Sequence, residues 1–281
     1  YPKAVLKELV EGDLLNIDFD AAIIQIVDVK GGDIKARVIS SGRVGNNKAV
    51  TSFRPIYLPA VTAKDKQAIE IGTKLGIDHY ALSFANCGKD VEMFRALVPA
   101  GAKIISKIES KSGYRHLNEI LVASDMILID RGDLSREVPI EMIPFYQRKI
   151  VEEANKSKTP VYIATNLLES MTENPYPTRA EVNDVINALT QGADGLILAG
   201  ETAIGKHPVA TAAMIVKLIN QYELSCRGDI VENASHVTSS LIEPHGGLLI
   251  DRRDKEPGWK RIEQLDRLKV PVSAVMDAEQ I

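Results

Sequence analysis

The 281-residue sequence predicts an α/β fold with a parallel sheet, preceded by a small β-rich unit. Three observations predict it. From about residue 62 onward, short and nearly continuous apolar runs alternate with amphipathic stretches of helical period, as expected for strands covered on both faces by helices. The apolar runs end in polar residues: Lys107 and Glu109, Asp133, Thr165, and Gly200-Glu201-Thr202. From Asp13 to about Val44 the period is two, with β-branched residues alternating with polar ones. Two parallel architectures fit, a closed (β/α)8 barrel and an open doubly wound sheet. Five strands are visible where a closed barrel needs eight. Polar chemistry at the carboxyl ends of several strands is the barrel pattern, whereas an open sheet gathers its ligand groups at one switch point.

Taken in order, Ala22–Val29 and Ile34–Ser40 read as an antiparallel hairpin turning at Lys30-Gly31-Gly32-Asp33. Gly42, Gly45 and Asn46-Asn47-Lys48 read as a loop, and Pro55 to Pro59 closes the unit. Thr62 then suits the N-cap of a first helix over 63–76. The predicted strands are Asp78–Ala85, Ala102–Glu109, Asp125–Asp133, Pro160–Thr165 and Asp194–Gly200. Helices are predicted over 89–98, 116–123, 139–157 and 178–191, with another after Pro208. Thr178-Arg179-Ala180-Glu181 has capping-box spacing, which sets the start of the fifth helix.

Composition narrows the function classes. A net charge of −4 with interspersed signs offers no broad basic surface for nucleic acid or an anionic membrane. Local phosphate binding remains open. Cys87 and Cys226 are too few for a disulfide framework and lack metal-ligand spacing, which fits a reducing cytoplasm. No apolar run reaches the roughly 20 residues of a membrane span. The chain opens at Tyr1-Pro2 without a methionine and stops at Gln280-Ile281 in mid-pattern, which reads as a piece of a longer protein.

The candidate site lies in Lys103–Glu109 and its echo at Met126–Asp133. Residues two apart on a strand share a face, so Lys107 and Glu109 project together from a carboxyl end. If the next strand is a neighbour, Asp133 joins Glu109 in holding a divalent cation. By residue type alone, Lys107 with Glu109 is also what a rim salt bridge looks like, Asp133 a helix cap, and Thr165 a strand-end hydrogen bond.

Five motifs in order closely resemble the pyruvate kinase family: Ile105-Ser106-Lys107-Ile108-Glu109, Arg131-Gly132-Asp133-Leu134, Ala164-Thr165-Asn166 through Met171, Pro177 through Glu181, and Gly200-Glu201-Thr202-Ala203. The resemblance runs from about residue 8 to 224. It implies a TIM barrel of pyruvate kinase type, incomplete in this chain, with the five strands as the fourth to eighth of the barrel. It implies that residues 1–57 are part of the inserted lid domain and that 58–224 are partial barrel. Phosphoryl transfer between phosphoenolpyruvate and ADP/ATP is the implied activity. In that reading Glu109 and Asp133 bind Mg2+ or Mn2+, and Lys107 stabilises the phosphoryl group in flight. The Gly132 and Asp133 amides hold the substrate carboxylate, Thr165 stands beside phosphate or enolate, and Lys48 belongs to the nucleotide-contacting segment. A K+ ion is also implied, with family ligands on earlier barrel strands. The implied partner is a small-molecule substrate, and Arg179 reaches across the interface of a homo-oligomer. Asp130 stands where the family usually has a small residue, and it adds negative charge beside a site for an anionic substrate. Ser135 replaces a glycine and Asn166 a glutamine, and Asp18-Phe19-Asp20-Ala21 lacks the usual Asp-Gly turn.

The tail from residue 225 carries a weaker resemblance. Glu243 through Ile250, then Val270 to Ile281, is similar to the start of ATP sulfurylase, with His245 as a loop residue. Two functions of different class follow. One is a metal-dependent phosphotransferase fused to a sulfurylase-like domain. The other is a non-catalytic sensing or scaffolding module attached to such a partner.

Overall fold

The computed structural model describes residues 3–18, 21–29, 34–45, 50–54, 56, 58–226, 248–251 and 272–275. These divide into two units, Tyr1–Ala60 and Val61–Ile281.

The first unit opens with a short helix, α1 (Lys3–Glu8), followed by β1 (Leu14–Ile17), β2 (Ala22–Asp28), β3 (Lys35–Ser40) and β4 (Val50–Ser52). The sheet order is β3-β2-β1-β4, and every pairing is antiparallel. Alternation in β1 and β2 points Leu15 and Ile26 to one side, where they bury with Leu9 into a small core. Arg54 ties this core together, because its guanidinium donates to both carboxylate oxygens of Asp13 at 2.8 and 2.9 Å. The predicted hairpin is therefore present, while its Lys30–Asp33 turn lies outside the described residues.

In the second unit strands and helices alternate. The order is α2 (Ala63–Lys74), β5 (His79–Leu82), α3 (Gly88–Arg95), β6 (Lys103–Ile108), α4 (Lys111–Arg115), α5 (Leu117–Ala123), β7 (Met126–Asp130), α6 (Arg131–Leu134), α7 (Ile143–Ser157), β8 (Val161–Ala164), α8 (Arg179–Thr190), β9 (Gly195–Ile197), α9 (Gly200–Ala203) and α10 (Pro208–Cys226). The five strands form one parallel sheet in sequence order, β5-β6-β7-β8-β9. Consecutive order with a helix in each crossover is the barrel connectivity rather than the reversed order of a doubly wound sheet. No helix among the described residues is long and apolar enough to cross a membrane. In the tail, β10 (Leu248–Asp251) and β11 (Val272–Val275) pair in parallel.

Two predicted caps are realised in full. Thr62 Oγ1 accepts the Asp65 amide while Asp65 returns a carboxylate oxygen to the Thr62 amide, starting α2. Thr178 and Glu181 do the same for α8. Several boundaries differ: the strand predicted over 78–85 ends at Leu82, the one predicted over 194–200 ends at Ile197 with Gly200 opening α9, and the helix predicted from 139 becomes α7 only at Ile143. The strand predicted to run to Asp133 stops at Asp130, whose side chain caps the helical turn α6 and carries Asp133 off the sheet. The helix predicted over 116–123 is preceded by a separate turn, α4, started by the Ser110 hydroxyl accepting the Gly113 amide at 3.0 Å.

Both faces of the sheet are buried. Ile104 and Ile108 of β6, Ile127 and Ile129 of β7, and Ile163 of β8 are fully covered on the helix side. The other face carries Ile105, Leu128, Ala164 and Ile197, one from each of four adjacent strands, in a single packed layer. That layer is the floor of the site.

Candidate functional site

One pleat beyond this floor, toward the carboxyl ends, the same face turns from apolar to charged. Lys107 follows Ile105 by two residues, and Asp130 follows Leu128 by two. Glu109 comes just past the end of β6. The Lys107 ammonium lies 2.6 Å from Glu109 Oε1 and 3.3 Å from Asp130 Oδ2. All three are buried, Glu109 to 1% side-chain exposure.

Glu109 is fixed from the neighbouring strand. Its Oε2 accepts the Phe84 amide at 2.6 Å, and Phe84 sits at φ 49°, a left-handed conformation that costs a bulky residue about 1–3 kcal/mol. Burial pushes the Glu109 carboxyl up to about 7, with Lys107 pulling it down and Asp130 and Asp133 adding to the rise.

Asp133 approaches from α6. One carboxylate oxygen each from Glu109, Asp130 and Asp133 lies within 4.8 Å of the others, a set of hard oxygen donors that suits a divalent cation. Arg136 donates to Asp133 Oδ1 at 2.9 Å, so the cluster already faces two protein cations, Lys107 and Arg136.

Thr165 arrives from β8. It lies at φ 67° and Asn166 at φ 53°, two consecutive left-handed residues at the strand's carboxyl end. Strain of that kind persists only where the surroundings impose it. Arg131 supplies the constraint: its Nε and Nη2 both donate to the Thr165 carbonyl, at 3.1 and 2.6 Å. The same guanidinium is anchored by Asp184 at 2.7 Å and by Gln147 at 3.4 Å. Below this loop the buried Glu201 accepts the Leu168 and Ala199 amides, tying α9 to the segment after Thr165.

The Gly132 and Asp133 amides lie in the short helical turn α6, and each has a protein acceptor. Gly132 N donates to Thr165 Oγ1 at 2.9 Å, and Asp133 N to Asp130 Oδ1 at 3.3 Å. The Thr165 hydroxyl is shared between the Ala164 carbonyl at 2.6 Å and Asp130 Oδ1 at 3.3 Å.

Lys107, Glu109, Gly132, Asp133 and Thr165 are thus brought together at the ends of three adjacent strands. Lys48 and His245 lie outside the described residues. Arg179 is exposed in the first turn of α8. Sequence reasoning missed Arg131 and Arg136 as members of the cluster. It set Asp130 aside as an intruding charge, whereas the structure puts its carboxylate among the other two.

The family model for the pyruvate kinase barrel domain matches residues 1–212. A pyruvate kinase of Aeropyrum pernix is 41% identical over 213 residues, covering 74% of this chain and 46% of the relative. One of Thermotoga maritima is 33% identical over 257 residues, covering 87% of this chain and 55% of the relative. Pyruvate kinase 2 of Synechocystis is 34% identical over 267 residues, covering 90% and 45%. The chain spans about half the length of the curated relatives it matches.

Proposed function

The chain belongs to the pyruvate kinase family, and from that premise we propose that the cluster at the ends of β6, β7 and β8 serves metal-dependent phosphoryl transfer between phosphoenolpyruvate, or a related enol phosphate, and ADP/ATP. One observation carries the reading: a buried ammonium and three carboxylates converge where parallel strands end, beside a strained hydroxyl-bearing loop. Phosphoryl transfer asks a protein chiefly to position anions and neutralise charge in transit.

Each residue has a physical task in this proposal. Lys107, one pleat above an apolar floor and poorly solvated, offers a positive charge to the phosphoryl group where screening is weak. Glu109 and Asp133 hold Mg2+ or Mn2+, and the oxygen-only donor set fits either ion. When bound, the ion supplies charge neutralisation at the substrate oxygens. The Thr165 hydroxyl stands beside the phosphate or enolate, aimed by the Arg131 clamp on its carbonyl. The Gly132 and Asp133 amides receive the substrate carboxylate in exchange for Thr165 Oγ1 and Asp130 Oδ1. By the family resemblance, Lys48 belongs to a nucleotide-contacting segment, K+ would be held by family residues on earlier barrel strands, and Arg179 would lie near the interface of a cytoplasmic homo-oligomer. A sulfurylase-like domain beginning near residue 225 completes the proposal.

The test is pyruvate release from phosphoenolpyruvate, ADP and Mg2+ by the full chain and a Lys107→Met variant. Loss of one charge-stabilising donor should lower kcat by about 10²–10³-fold in a variant whose folding is checked by circular dichroism. Equal rates would remove Lys107 from the mechanism. A second reading is a non-catalytic sensing or scaffolding module attached to a sulfurylase-like partner. It is favoured by the engagement of the Asp133 amide with Asp130, and absence of pyruvate release from the native chain at saturating Mg2+ would support it.

A further inference from the structure

Resting on the metal-dependent reading, we propose that Asp130 is a third carboxylate ligand of the divalent cation. It gives the cation a third protein carboxylate, so that the site can fill before substrate binds. Three features of the geometry point there. First, the span is right. An octahedral cation with oxygens at about 2.1 Å sets its ligands about 3.0 Å apart when adjacent and about 4.2 Å when opposite. The Glu109, Asp130 and Asp133 oxygens, all within 4.8 Å of one another, need only a small inward movement.

Second, Asp130 is arranged as a substrate carboxylate would be. Its Oδ1 receives the Asp133 amide and the Thr165 hydroxyl, groups that the proposed function assigns to the substrate. Its Oδ2 faces the Lys107 ammonium at 3.3 Å, on the charged side of the cluster. Third, the cluster has an unmet electrostatic demand. Three carboxylates face two cations, Lys107 and Arg136, leaving a net negative charge in a buried site. Glu109 Oε1, fully buried, answers to the Lys107 ammonium but receives no aligned hydrogen bond. A buried carboxylate oxygen of this kind is costly unless a cation completes its shell. Carboxylate count is a main determinant of divalent-cation affinity, so the third ligand favours filling in the absence of substrate.

The test is Mn2+ binding to the full chain by calorimetry, without any phosphorylated ligand, with folding checked by circular dichroism. The variants are Asp130→Asn, Asp130→Ala and Glu109→Gln. Asp130→Asn keeps the volume and the cap to α6 but loses the charge, and should weaken Mn2+ by at least about tenfold. Asp130→Ala should weaken it similarly, and added formate should restore most of the loss while leaving the native chain unaffected. If Glu109→Gln abolishes binding while both Asp130 variants bind Mn2+ as tightly as native, Asp130 is a helix cap only and the proposal is overturned. If Glu109→Gln binds like the native chain, the metal site of the proposed function fails, and this inference fails with it.

Discussion

Asp125 stands at the entry to β7 and fixes how β6 and β7 meet. Its Oδ2 accepts the Ile104 amide at 2.9 Å and Arg95 Nη2 at 2.8 Å, and its Oδ1 accepts Lys103 Nζ at 3.0 Å. Partial burial pushes the carboxyl up, but the Ile104 amide and then the Arg95 and Lys103 cations outweigh it and hold the group at about 2, against an ordinary 3.8. With its side chain 21% exposed, that gap is worth about 2 kcal/mol of folding stability at neutral pH, at about 1.4 kcal/mol per tenfold step. Because the folded value lies below the unfolded one, the contribution is fully present above about pH 4–5 and fades as pH falls toward 2. Urea unfolding of the native chain and Asp125→Asn, followed by circular dichroism, should therefore show a gap of about 2 kcal/mol at pH 7 that shrinks by about half at pH 3. An equal gap at both values, or none at pH 7, would refute the argument. The consequence reaches the site, since the register that starts with Ile105 opposite Met126 sets Lys107 opposite Leu128, one pleat from Asp130.

Two further outcomes follow from the same geometry. Thr178→Ala removes one half of the capping box that starts α8, whose other member, Glu181, also takes the Ser170 amide and hydroxyl at 2.7 and 2.5 Å. It should cost about 1 kcal/mol, read as a melting-temperature drop of about 2–4 °C, and an unchanged midpoint would show that the Ser170 contacts alone hold the helix start. Arg131→Lys keeps the charge but loses the planar fork that holds the Thr165 carbonyl and Asp184 together. Unfolding free energy should fall by about 1–2 kcal/mol for the lost hydrogen bonds, and under the proposed function pyruvate release should fall too as Thr165 relaxes from φ 67°. Native-like stability in this variant would mean that the strain at Thr165 is held elsewhere.

What could be read in advance was what depends on short sequence separation. A period of two put Lys107 and Glu109 on one face, and the ion pair at 2.6 Å follows from that alternation. The caps at Thr62 and Thr178 need only three residues to complete. Asp133 was misplaced onto a strand because Met126–Ile129 is apolar without interruption. The stop signal was present, though, as Asp130 at the N-cap and Asp133 three residues on. Arg131 stood in a recognisable motif, but its clamp had no local signal, since its partners are 16, 34 and 53 residues away. Asp130 is the sharpest case. Judged by its neighbours in sequence, it adds repulsion to an anion site. In space it meets an ammonium from β6, an amide from α6 and a hydroxyl from β8, all at 3.3 Å. The sign of a buried charge's effect is set by the donors within about 4 Å, where the interaction energy is largest. An acidic residue at the end of a parallel strand therefore faces donors from the adjoining strands, and its role is decided by residues that no sequence window around it contains.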